Sequence, residues 1–86
     1  MPHNINDLNE MENKMVSILL DRFQQKENID LSNDQMAMMR ITEIVRKLSS
    51  KLNSEGKILF ELPFITADKN GPKHLKELIT ADQILD

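Results

Sequence analysis

Leu8, Met11, Met15, Leu19 and Phe23 recur at spacings of three or four, with Val16 and Leu20 widening the stripe. That period puts them on one side of a helix. The pattern predicts an amphipathic helix from about Asn6 to about Lys26, with Asn6 as N-cap. Asp7, Glu10 and Glu12 sit in its first turns, where the helix dipole favours negative charge. The polar run "KENIDLSND" ends it. A second helix is expected to start between Ser32 and Asp34, because Ser32 with Gln35 has capping-box spacing. Its stripe is Ala37, Ile41, Ile44, Leu48 and Leu52, flanked by Met38 and Val45. It stops in "NSEGK", where Gly56 suits a left-handed terminal position.

From Lys57 to Ile65 the period changes to two. Ile58, Phe60, Leu62 and Phe64 alternate with Leu59, Glu61, Pro63 and Ile65, which predicts a strand. Pro63 has no N–H to donate to a ladder, so it points to an edge position or a bulge. "DKNGP" contains an Asn-Gly pair that favours a tight hairpin turn. Lys73 to Thr80 is the expected return strand, with Leu75 and Ile79 facing the core and Glu77 on the same face between them. Thr80 and Gln83 again have capping-box spacing, so a third helix is expected to begin at the end of the chain. The expected fold class is α+β: two amphipathic helices packed on a small antiparallel sheet, in one small domain over residues 1–86.

The chain has 86 residues, enough for one modest core. Apolar residues make up 40% and charged residues 29%, which places it among globular chains. With three Phe, no Trp and no Tyr, six Met are expected either to share the filling of a soft core, the favoured reading, or to form an apolar partner face. A net charge of −3, no basic stripe and few aromatics argue against nucleic acid as a partner. Zero cysteines exclude disulfides, thiolate chemistry and Cys-based zinc sites. The apolar runs are too short for a membrane-spanning helix, so no membrane insertion is expected. The polar, acidic start "MPHNINDLNEMEN" has neither secretory nor transit character.

Catalytic constellations are equally absent. His3 and His74 lack partners at metal-ligand or acid–base spacing. No serine has nucleophile-elbow context, and no glycine-rich loop precedes a helix. The residues taken alone therefore point to a non-enzyme with no cofactor and no metal, a binding or structural module.

A resemblance adds to this. Phe23, Ile29-Asp30-Leu31, Asn33-Asp34, Ala37, Arg40 and Glu43 are followed by Leu62-Pro63-Phe64-Ile65-Thr66-Ala67-Asp68. Gly71-Pro72-Lys73-His74 and Thr80 complete the pattern. Together they resemble the DnaK-type heat-shock chaperones of bacteria and organelles, in the upper lobe (subdomain IIB) of the ATPase domain. The register runs without a gap from about Lys14 to Thr80. The resemblance implies a two-helix, small-sheet lobe that covers adenosine and is gripped by nucleotide-exchange factors. It also implies a bacterial cytoplasm or an organelle interior. The phosphate loops and catalytic residues of such ATPases have no counterpart in this chain.

The same register exposes departures. Where the family has a Gly-Gly-x-x-Phe-Asp motif approaching phosphate, this chain has Asp7 and Leu8, then Met11 and Glu12. Only glycine permits so close a backbone approach, and Asp7 would repel a phosphate. The family's adenosine-holding Glu, Lys and Ser fall on Arg46, Ser49 and Asn53, with Ser50 beside them. Glu77 replaces an apolar residue on a core-facing position and is expected to pair with a lysine or to meet a partner, since an unpaired buried charge costs several kcal/mol.

The expected function is therefore a non-catalytic interaction or accessory module that no longer holds nucleotide. Its partner would be a protein, either an exchange factor or a larger assembly, and a decoy for exchange factors is a variant of this reading. The alternative is an excised piece of a divergent chaperone, for which ATP or ADP would be relevant in a longer chain. The Met start and acidic helix cap fit a complete small chain, and the helix broken off after Thr80 fits a fragment. Partner-binding candidates are Asp68, Lys69, Asn70, Gly71 and Lys73 on the hairpin tip. A second candidate is the Leu59, Ile65 and Leu78 side of the hairpin, and a third the edge of the strand Lys57–Ile65.

Overall fold

A computed structural model describes residues 8–85. Helix α1 (Glu10–Glu27) is followed by a 3₁₀ turn (Leu31–Asn33), α2 (Gln35–Leu48), α3 (Lys51–Glu55), strands β1 (Lys57–Asp68) and β2 (Gly71–Thr80), and α4 (Ala81–Leu85). The α+β class is as expected, with the C-terminal helix present as a fourth rather than a third helix.

Asn9 caps α1. Its side chain accepts from the Glu12 N–H at 2.7 Å, and Glu12 accepts from the Asn9 N–H at 3.1 Å. This reciprocal pair is a capping box, and it replaces the expected cap at Asn6, which lies outside the described residues. Asn28 ends α1 in the left-handed conformation at φ 60°. The second expected box is also corrected. Asp34, not Ser32, caps α2 by accepting from the Ala37 N–H at 3.1 Å. Ser32 belongs to the 3₁₀ turn, whose cap is Asp30.

The expected single second helix is divided. Around Ser49 and Ser50 the bonds shorten to three-residue steps, Leu52 N–H to Ser49 O and Asn53 N–H to Ser50 O, which is 3₁₀ tightening. Gly56 then closes α3 at φ 77°. The buried stripe of these helices is Ala37, Ile41, Val45 and Leu52. Ile44 and Leu48, expected at its centre, are half-buried at its margin.

β1 and β2 form a two-stranded antiparallel sheet. Lys57 pairs with Thr80 and Leu62 with Leu75, and the register then jumps to Thr66 with Lys73. Pro63, Phe64 and Ile65 thus stand where His74 alone stands opposite, a β-bulge. This meets the expectation at Pro63 and overturns the expected facing of its neighbours. Ile65 turns inward, and Phe64 is 68% exposed. The inner face carries Ile58, Phe60, Leu62, Leu75 and Ile79 against Met15, Leu19, Phe23, Leu31, Ile41 and Val45. At the hairpin tip neither Lys69 nor Asn70 has positive φ, and Gly71 takes it at 117°. The turn centre is therefore Lys69-Asn70, one residue earlier than an Asn-Gly turn.

Candidate functional site

The adenosine-facing candidates cluster where α2 gives way to α3, and their side chains divide. Arg46, Ser50 and Asn53 are exposed, whereas Ser49 is 7% exposed. The Ser49 hydroxyl donates to Glu12 Oε2 at 2.7 Å. Glu12 is itself buried at 9%, with Oε1 committed to the Asn9 N–H. Both carboxylate oxygens are thus occupied by donors, and the bond ties the start of α1 to the end of α2 across 37 residues of chain. Charge-assisted hydrogen bonds of this kind are the strong ones. The last turn of α2 also carries Arg46 and Lys47, which suit the negative end of its dipole.

At the phosphate-motif positions, Asp7 lies outside the described residues. Leu8 is buried at 6% within the core, and its carbonyl accepts from Asn13 Nδ2 at 3.3 Å. A groove of about 650 Å³ runs between the first turns of α1 and α4, lined by Glu10, Met11, Lys14, Ser17, Ile84 and Leu85 among others. Two smaller depressions are lined by residues around Arg40 and Lys47, and around Asp21 and Asp30. None of the three is lined by Arg46, Ser49, Ser50 or Asn53.

The hairpin candidates form a separate place. Asp68, Lys69 and Asn70 are exposed, while Gly71 and Lys73 are half-buried. Asp68 accepts from the Asn70 N–H at 2.8 Å, and Lys73 pairs with Glu27 at 3.2 Å and Asp68 at 4.0 Å. Lys73 is thereby tied to α1 and is less available than the tip. On the outer sheet face Leu59 and Leu78 stand opposite each other, each 46% exposed, and Ile65, expected with them, is inside.

Glu77 has the partners expected of it. It is 8% exposed, with Lys26 at 2.5 Å and Arg22 at 3.6 Å, both from α1. Arg22 also donates to the Leu78 carbonyl at 2.7 Å. Asp30 lies at the start of the 3₁₀ turn, where it accepts from Ser32. The Ser32 hydroxyl, then the Ser32 N–H, hold its carboxyl below the ordinary aspartate range.

Two interactions escaped sequence reasoning. Glu12–Ser49 had no local signal, because its partners are distant in the chain. Arg40 donates from Nη2 to the Pro63 carbonyl and from Nη1 to the Phe64 carbonyl, each at 2.9 Å. A bulge with a proline leaves carbonyls without ladder partners, and that was the available hint of a long cation nearby. Among the described residues no group of His, Cys, Asp and Glu side chains could hold a metal ion. Nor is any helix among them long and apolar enough to cross a membrane.

Residues 9–86 match the family described as Hsp70 protein. The chain is 44% identical over 73 residues to the chaperone protein dnaK of Phaeodactylum tricornutum (strain CCAP 1055/1), covering 85% of this chain and 12% of that protein. It is 43% identical over 74 residues to the chaperone protein dnaK1 of Synechocystis sp. (strain ATCC 27184 / PCC 6803 / Kazusa), covering 86% of this chain and 11% of that one. The chain thus corresponds to a small part of the length of these relatives.

Proposed function

The chain belongs to the Hsp70 family, and from that premise we propose that it is a non-catalytic lobe that has given up holding nucleotide and acts by binding protein. The observation that carries this reading is the Glu12–Ser49 hydrogen bond. A side chain at an adenosine-facing position has its hydroxyl turned inward onto a buried carboxylate. The buried Leu8 side chain supports the same reading, because glycine is what a close phosphate approach requires. Arg46 stands where the family resemblance expects the acid that helps to hold adenosine. The lobe then keeps its scaffold and offers the hairpin tip, Asp68 to Gly71, to a partner such as an exchange factor or the body of a larger assembly. Its setting would be a bacterial cytoplasm or an organelle interior.

Titration calorimetry of the chain with ADP and with ATP tests this. The expected result is no saturable heat at millimolar nucleotide, equivalent to less than about 4 kcal/mol of binding free energy. A dissociation constant at or below about 10 µM for either nucleotide would overturn the reading.

A second reading rests on the match to chaperones that are far longer than this chain. In it, the lobe closes over adenosine as part of an ATP-dependent chaperone and is opened by an exchange factor. Binding of ADP once the chain is joined to the remaining ATPase lobes would favour this reading over the first.

A further inference from the structure

Phe64 holds a bulky side chain in the left-handed region at φ 55°, where such residues are rare. Core packing does not hold it there, because it is 68% exposed. Hydrogen bonds do. Its N–H donates to Nδ1 of His74 at 2.7 Å. The carbonyls of Phe64 and Pro63 are gripped by Arg40 from α2. The Phe64 and His74 rings meet edge to face, with centroids 4.8 Å apart at 82°. An imidazole nitrogen that accepts a hydrogen bond carries no proton, so His74 is fixed as the Nε2–H tautomer.

We propose that His74 is a protonation-operated latch on the β1 bulge. With Nδ1 bare, the latch is closed and Phe64 is held outward at positive φ. Protonation turns Nδ1 into a donor that faces the Phe64 N–H, so the bond is lost and two donors oppose each other. The new positive charge also lies on the same bulge as the Arg40 guanidinium. The bulge then keeps its Arg40 ties alone, and Phe64 relaxes out of the left-handed region. The latch is therefore closed while the imidazole is neutral and open once it is protonated.

The bulge and the elements bonded to it carry charged side chains. Arg40 comes from α2. Glu61 of β1 and Lys76 of β2 pair at 3.9 Å on the outer sheet face. Lys73 of β2 is held by Glu27 of α1 and Asp68 of β1. Imidazole is the class of side chain whose ordinary titration falls between about pH 5 and 8.

Amide hydrogen exchange followed by NMR on the whole chain, corrected for intrinsic rates, tests the latch. The expected result is that Phe64 protection falls at least about tenfold between about pH 8 and pH 5.5, while Leu19 and Ile79 stay protected. His74→Asn places an amide oxygen near the position of Nδ1 and does not titrate, so Phe64 should stay protected at both values. His74→Phe removes the acceptor, and protection should be low at both. If His74→Phe does not fold, the wild type against His74→Asn decides. The proposal is overturned if Phe64 protection in the wild type responds to pH no more than in His74→Asn. A parallel loss at Ile79, or a proton found on Nδ1 at alkaline pH, overturns it as well.

Discussion

Glu12 uses one carboxylate oxygen to close the capping box with Asn9 and the other to accept from Ser49. Ser49→Ala takes away one buried donor and leaves that oxygen without a partner. The expected cost is about 1–3 kcal/mol, read from the urea midpoint at constant slope. An unchanged midpoint would mean that the hydroxyl does not bind Glu12 in solution. Asp30 makes a second prediction at this scale. Its ionised carboxyl is favoured in the folded chain by the Ser32 hydroxyl and N–H. Because the folded value is lowered, the stabilisation is present above the ordinary aspartate value of 3.8 and is lost as pH falls through the lowered one. Ser32→Ala removes the larger cause, so a carboxyl-carbon NMR titration should show Asp30 moving up toward its ordinary value.

The elements are joined by side chains that cross between them. α1 meets β2 through Arg22, Lys26 and Glu77, and α2 meets β1 through Arg40. Glu77 is buried, whereas the Lys26 side chain is 61% exposed and screened by water. Either cation alone is therefore dispensable, at a cost of about 1 kcal/mol or less. Removing both strands a buried carboxylate. Arg22→Ala with Lys26→Ala is expected to lose up to about 3 kcal/mol, and adding Glu77→Leu should recover most of it. Thermal melts of the double and triple variants check this, and a triple variant no more stable than the double would refute it. The bulge acts at the same scale. By setting Pro63 to Ile65 against His74, it flips the facing of β1 halfway along its length.

One core serves the whole molecule, and it has little in reserve. Typical per-residue stabilities put 86 residues at about 4–13 kcal/mol in total. Phe60 is the largest fully buried side chain and joins the sheet to the helices. Phe60→Ala is expected to cost about 3–5 kcal/mol and to lower the melting temperature by at least about 12 °C in circular dichroism. A drop below about 5 °C would mean that the core collapses around the gap. Every buried side-chain nitrogen and oxygen among the described residues has a hydrogen-bond partner.

The types and order of the main elements were legible because they follow from short-range chemistry. Period 3.6 marked the helices, period two marked the strands, and Gly56 marked a helix end. The family was legible too, since "LPFITAD" and "GPKH" survive intact. Caps were less so, because Asn9 follows Asn6 by three residues and Asp34 follows Ser32 by two, and each is of a type that can cap a helix. What tertiary structure alone decided are the pairs separated by long stretches of chain. They include the inward turn of Ser49 onto Glu12, the seating of Glu77 on Lys26 51 residues away, and the grip of Arg40 on Phe64. These depend on how α1, α2 and the sheet come together, and no local pattern carries that information. The reversed facing of Phe64 and Ile65 has the same origin. Strict alternation holds only while the two strands advance in step, and the bulge opposite His74 breaks that step.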